Sequence, residues 1–176
     1  MVDLREIPEA TRWQIATRIL SSLPVMYDLA FREAVGKNYD ELEYQVWLEL
    51  GKDAFDIAKA FQLPVGRAAE LARALRLVTV LIFGPEFRYE VLEISDDRAT
   101  LITKACPFLG SSHEYGGTPK NLFPKCLAFS VAVVETLNPR FTARFVRSLC
   151  MADRTCEMSV ITKEEAKKLE GNATKG

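Results

Sequence analysis

Apolar positions in the first half of the chain recur at three- and four-residue steps, and in the second half they alternate with polar ones. Trp13, Ala16, Ile19 and Leu20 predict a helix from about Pro8 to Ser22. Pro24 suits the first turn of a second helix, which Gly36 would end. Asn38 and Glu41 have the spacing of a capping box ahead of a third helix, with an apolar stripe of Leu42, Val46, Leu50, Ile57 and Phe61 and a middle that Gly51 would loosen. Pro64 would open a fourth, with Ala68, Leu71, Ala72, Leu75 and Val78 on its buried face and Gly84-Pro85 as its stop.

Beyond that stop the period becomes two. Phe87, Tyr89 and Val91 mark a strand, Ser95 to Arg98 a turn, and Ala99 to Cys106 the hairpin partner. The stretch from Pro107 to Phe123 holds Gly110, Gly116, Gly117 and Pro119 and is expected to be a loop. Pro124 then suits the start of a helix running to Leu137, halted by Asn138-Pro139. Strands follow at Phe141 to Cys150 and Cys156 to Ile161, and a short helix from Lys163 frays toward Gly176. These elements predict an α+β fold in one domain over 1–176. A helical N-terminal region, 1–84, packs with a C-terminal ββαββ antiparallel-sheet unit, 85–162, and 163–176 is a tail.

Chain direction gives this unit a consequence. A strand of about nine residues rises roughly 30 Å and a helix of about fourteen covers roughly 21 Å, so the helix returns the chain along the sheet and the third strand runs the same way as the second. Cys106 and Cys150 at the ends of those strands, Cys156 at the start of the fourth and Cys126 in the first turn of the return helix then converge at one edge.

Composition narrows the function. At 176 residues, nearly half of them apolar, the chain can bury a core. With 23 basic and 24 acidic residues it lacks the basic excess that phosphate backbones require, which argues against nucleic acid. No apolar stretch reaches the roughly 18 residues of a membrane span, and the N-terminal residues lack the pattern of a secretory signal, so a cytoplasmic location is expected. In that compartment four cysteines are free, catalytic or metal-bound rather than paired.

Four convergent thiols are a donor set for an iron–sulfur cluster or, alternatively, for zinc, although the spacings match no compact zinc knuckle. The helix N-terminus is expected to lower the Cys126 pKa and favour its thiolate. His113, the one histidine, and Asp153 belong to the neighbouring loops and could enter the site. Any one of these cysteines taken alone also reads as core packing.

The run from Ala99 to Cys106-Pro107, the helix cysteine Cys126 and the closing Cys150-Met-Ala-Asp153-Arg-Thr-Cys156 resemble the 4-vinyl reductase domains and the related L-2-amino-thiazoline-4-carboxylic acid hydrolase-like proteins. The resemblance covers about residues 86–162. It implies an often dimeric α+β fold enclosing a small-molecule pocket, with Cys106, Cys126, Cys150, Asp153 and Cys156 at the family's site positions. Ala152 stands where those families carry glycine, so the turn need not share their backbone conformation.

Three functions follow. The first is a cysteine-ligated, iron–sulfur protein that senses, carries or acts on a small-molecule ligand. The second is a cysteine hydrolase that opens a small heterocycle or amide, with Cys106 as nucleophile and His113 as base. The third is a homodimerisation or partner-binding module using Tyr27, Phe31, Tyr44 and Trp47.

Overall fold

The structure, a computed structural model, describes residues 3–173. It is an α+β fold: helices α1 (Glu9–Val35), α2 (Tyr39–Lys52), α3 (Ala54–Ala60) and α4 (Ala68–Phe83) precede a sheet of β1 (Arg88–Ser95), β2 (Arg98–Ala105), β3 (Phe141–Arg147) and β4 (Cys156–Thr162). Between β2 and β3 lie α5 (Pro107–Tyr115) and α6 (Phe123–Leu137), and α7 (Lys163–Ala173) follows β4. The expected fraying beyond residue 173 lies outside the described residues.

The helical half departs from its predicted boundaries in instructive ways. Pro24 does not start a helix; it sits inside α1, which runs unbroken past it. A proline there leaves the carbonyl four residues back without its donor, at a cost of about 3 kcal/mol. Leu20, which owns that carbonyl, is partly exposed to solvent. Tertiary bonds on the other side hold the helix: Ser21 Oγ donates to the Phe83 carbonyl at 2.6 Å and Trp13 Nε1 to that of Leu81 at 3.2 Å. Asn38 makes no capping bond, because a 3-10 turn leads directly into α2. Gly51 does not loosen its helix. A Cβ there would stand 2.5 Å from Ala132 Cβ, so the glycine is what lets α2 lie close against α6. α4 starts at Ala68 rather than at Pro64, with Glu70 accepting from the Gly66 and Arg67 amides.

The sheet order is β1-β2-β4-β3, every ladder antiparallel. β2 and β3 therefore run in the same direction with β4 between them. Register sets the inner face in rows: Tyr89, Thr103 and Cys156 are cross-strand partners, and the next row holds Val91, Leu101, Met158 and Phe145. A third row of Ala99, Val160 and Ala143 is buried under α4 and α6.

The segment expected to be a loop contains α5. Pro107 occupies its first turn, Cys106 precedes it in extended conformation, and Gly116 ends it at φ 72 in the left-handed region that suits glycine. Its three glycines concealed a helix whose buried face is only Phe108, Ser111 and Ser112. β3 also stops earlier than expected, at Arg147, and the chain then makes a 3-10 turn at Leu149–Met151.

Candidate functional site

Cys106, Cys126, Cys150 and Cys156 border one cavity of about 60 Å³ at the end of the sheet. The two inner-face rows supply its base with Tyr89, Thr103, Cys156, Leu101, Met158 and Phe145. Four-residue steps on α4 bring Leu75, Thr79 and Phe83 over it, and α6 adds Cys126, Phe129 and Ser130 by the same helical spacing. Trp47 of α2 and Phe108 of α5 complete the roof.

Phe83 meets Phe108 and Phe129 edge to face, at 4.9 Å and 5.4 Å between centroids, and Trp47 stands tilted against Phe83 at 5.7 Å. Few polar groups face the space. Thr79 Oγ1 donates to the Leu75 carbonyl at 2.7 Å and its side chain also meets the Tyr89 hydroxyl. Ser148 forms the polar corner: its hydroxyl accepts from the Cys150 amide at 3.3 Å and from the Cys156 thiol at 4.0 Å, while the Leu149 amide donates to Cys156 Sγ at 3.2 Å.

All four thiols are free, and burial pushes each of them upward from the ordinary thiol range. Cys106 reaches about 12, although the Leu109 and Phe108 amides at the start of α5 pull the other way. Cys150 is pushed up to about 11. Cys126 corrects an expectation: it does sit in the first turn of α6, but burial outweighs any help from the helix N-terminus and the Lys125 charge, and its pKa is raised. Near neutral pH the cavity is walled by protonated thiols.

The other predicted residues lie elsewhere. His113 is exposed and lines a separate outer cleft with Lys120 and Met151, so it does not share a cavity with Cys106. Cys150 is the thiol that borders both spaces. Asp153 Oδ2 accepts from the Ser148 amide at 2.8 Å and so staples the turn; it does not border the cavity, although its charge helps to raise the Cys156 thiol. Ala152 takes φ 70 and ψ 17, the left-handed conformation a glycine would adopt.

Beside Cys126, Lys125 is buried and reaches Glu43 at 2.7 Å and Asp28 at 3.4 Å. Burial works against the Asp28 charge, but hydrogen bonds from Arg32 and Asn121 and the Lys125 charge outweigh it and hold the carboxyl below its usual range. Glu43 goes the other way, with burial dominating its lysine. Sequence reasoning missed this network and the aromatic roof. The clue to the network was a lysine in an otherwise apolar helix turn, and the clue to the roof was the i, i+4 recurrence of Leu75, Thr79 and Phe83.

Among the described residues, no group of three or more His, Cys, Asp or Glu side chains is gathered to hold a metal ion. No helix among them is long and apolar enough to cross a membrane.

The fold has relatives among solved structures. The phenol-responsive sensory domain of the transcription activator PoxR, solved with phenol, superposes with a TM-score of 0.59 at 11% identity, covering 99% of this chain and 90% of that one. Subunit 3 of the trafficking protein particle complex from Naegleria fowleri, covalently bound to palmitic acid, gives a TM-score of 0.59 at 10% identity over 85% of this chain and 96% of that one. At such identities the likeness concerns the fold alone. No protein-family profile and no curated protein sequence matches the chain.

Proposed function

We propose that this chain is a small-molecule-binding module whose ligand, a compact and mostly apolar molecule, seats in the thiol-walled cavity. The observation that carries this reading is a cavity roofed by aromatic rings, with a few hydroxyls and four thiols on its wall, the mixture of apolar lining and sparse polar groups that ligand seats share. The phenol-bound sensory domain and the palmitate-bound subunit with the same fold lend it support.

Size sets a condition. Some 60 Å³ is well below the roughly 150 Å³ of an apolar cavity that accepts benzene. A ligand of that size must push the walls apart, and Met158 and Leu75 are the unbranched or rotatable side chains best able to yield. Phenol, added to the purified protein, is the first probe. Calorimetry should show saturable binding, and Ser130→Leu, which fills the cavity from α6, should remove it while leaving the circular dichroism spectrum intact.

A second reading places a cysteine-ligated iron–sulfur cluster in the same space. In its favour, the four thiols that border the cavity are the donor set such clusters use, Cys106, Cys126, Cys150 and Cys156. Among the described residues no three donors are gathered around one point, which counts against a single zinc ion and against a cluster alike unless the thiols close in on binding. When bound, a cluster would supply one-electron chemistry. Anaerobic purification with iron and sulfide quantification separates the readings: stoichiometric iron and sulfide, lost in Cys156→Ser, favours the cluster, and their absence returns the cavity to the apolar ligand.

A further inference from the structure

The hydroxyls on the wall of the thiol cavity are not equally engaged. Thr79 Oγ1 donates to the Leu75 carbonyl at 2.7 Å, the Tyr89 hydroxyl meets Thr79, and the Ser148 hydroxyl accepts from the Cys150 amide at 3.3 Å. Two are left over. Thr103 and Ser130 both line the cavity, each is only 8% exposed, and neither side chain has a hydrogen-bond partner among the described residues.

The fold fixes where they stand. Thr103 lies on the inner face of β2, in the row it shares with Tyr89 and Cys156. Ser130 follows Cys126 by four residues on α6 and so lies on the same side of that helix. One hydroxyl comes from the sheet and the other from the helix packed on it. Leaving a buried hydroxyl without a partner is unfavourable, and a valine in the strand or an alanine in the helix would suit its element at least as well. Two such groups bordering one space point to an occupant that they bond.

The rest of the wall limits what that occupant is. No Lys, Arg, His, Asp or Glu among the described residues lines the cavity, and Lys125, which precedes Cys126, is held by Glu43 and Asp28. A carboxylate or an ammonium would therefore enter without a counter-charge. A hydrocarbon would enter freely but leave both hydroxyls unpaired. A neutral hydroxyl both donates and accepts, so it takes a hydrogen bond from one side chain and gives one to the other.

We propose that Thr103 and Ser130 are the specificity-determining residues of the cavity, and that its ligand is a compact, neutral molecule carrying a hydroxyl, a phenol or small alcohol rather than a hydrocarbon or a carboxylate. This rests on the reading of the cavity as a ligand seat.

Calorimetry with phenol, toluene and benzoate on wild type, Thr103→Val and Ser130→Ala tests it. Toluene replaces the hydroxyl of phenol by a methyl group of similar size, and benzoate replaces it by a charge. Wild type should bind phenol about tenfold or more tighter than toluene, with no binding heat from benzoate. Each variant should lose about tenfold in phenol affinity and hold toluene at least as tightly as wild type does. The ligand-free chain gives a second readout: since the two hydroxyls have no internal partner, both variants should unfold at a urea concentration no lower than that of wild type. Toluene bound by wild type as tightly as phenol, or a phenol preference that both variants keep, overturns the hydroxyl recognition and leaves the cavity a ligand seat. A urea midpoint lowered in both variants would mean that the hydroxyls are engaged within the fold, and overturns it as well. Absence of binding by both phenol and toluene removes the seat itself and this inference with it.

Discussion

Glu43 on α2 meets the Lys125 ammonium on α6 at 2.7 Å, with the two side chains 12% and 3% exposed. The lysine immediately before a cavity cysteine is thus the hub of a buried charge network that also takes in Asp28 and, through it, Arg32. Removing the hub leaves two carboxylates without their shared cation in a poorly hydrated place. Lys125→Met should therefore cost about 3–5 kcal/mol in urea denaturation. A loss below about 1 kcal/mol would mean that solvent reaches the site freely.

Ala152 closes the turn that carries Cys150, and it does so at φ 70. A side chain in the left-handed region costs roughly 1–2 kcal/mol relative to the same residue in an ordinary conformation. Ala152→Gly relieves that cost, partly offset by the greater freedom of an unfolded glycine. The variant should gain about 1 kcal/mol in chemical denaturation, and a loss of stability would show that the turn is built differently.

Stability of the metal-free protein should fall at alkaline pH. Unfolded thiols ionise near their ordinary value of 9, whereas the folded chain keeps Cys150 protonated to about 11 and Cys106 to about 12. A raised folded pKa gives stability that is complete below the unfolded value and lost as pH rises through the folded one. From about pH 9 up to its folded value, about 11 for Cys150 and about 12 for Cys106, each thiol should remove on the order of 1 kcal/mol per pH unit. Urea titrations across that window check it, and Cys106→Ala should flatten the slope. A wild-type stability that stays level from pH 9 to 11 would contradict the buried, protonated thiols.

Much of this site was legible in the sequence because it follows from chain direction. The return of α6 along the sheet puts the ends of β2 and β3 and the start of β4 together, and Cys106, Cys150 and Cys156 lie at or just beyond those tips while Cys126 opens α6 beside them. What local pattern could not reach was set by tertiary contact. Pro24 reads as a helix start, yet bonds to the end of α4 carry α1 through it. Gly51 reads as a weak point, yet it is a place where α6 packs too close for a side chain. The glycines from Gly110 to Gly117 read as loop, yet Pro107 and Gly116 bracket a nine-residue helix. The pKa of Cys126 was misjudged for a related reason, since helix position is visible in a sequence and burial is not.

Access to the thiols should be graded. Cys150 as a residue is only 7% exposed but borders the outer cleft as well as the cavity, whereas Cys106 and Cys126, less completely covered, border the cavity alone. Under limiting iodoacetamide at about pH 8.5, peptide mass spectrometry should find Cys150 alkylated before Cys106 and Cys126. Labelling of Cys126 first would place the opening elsewhere, on the α6 side.

The most direct test of the cavity as the ligand seat is native mass spectrometry of the chain titrated with phenol, wild type beside Ser130→Leu. A single phenol retained by the wild type and lost from the variant is the expected result. No adduct at millimolar phenol, or one that the filled variant keeps, would contradict the assignment of the ligand to the thiol-walled cavity.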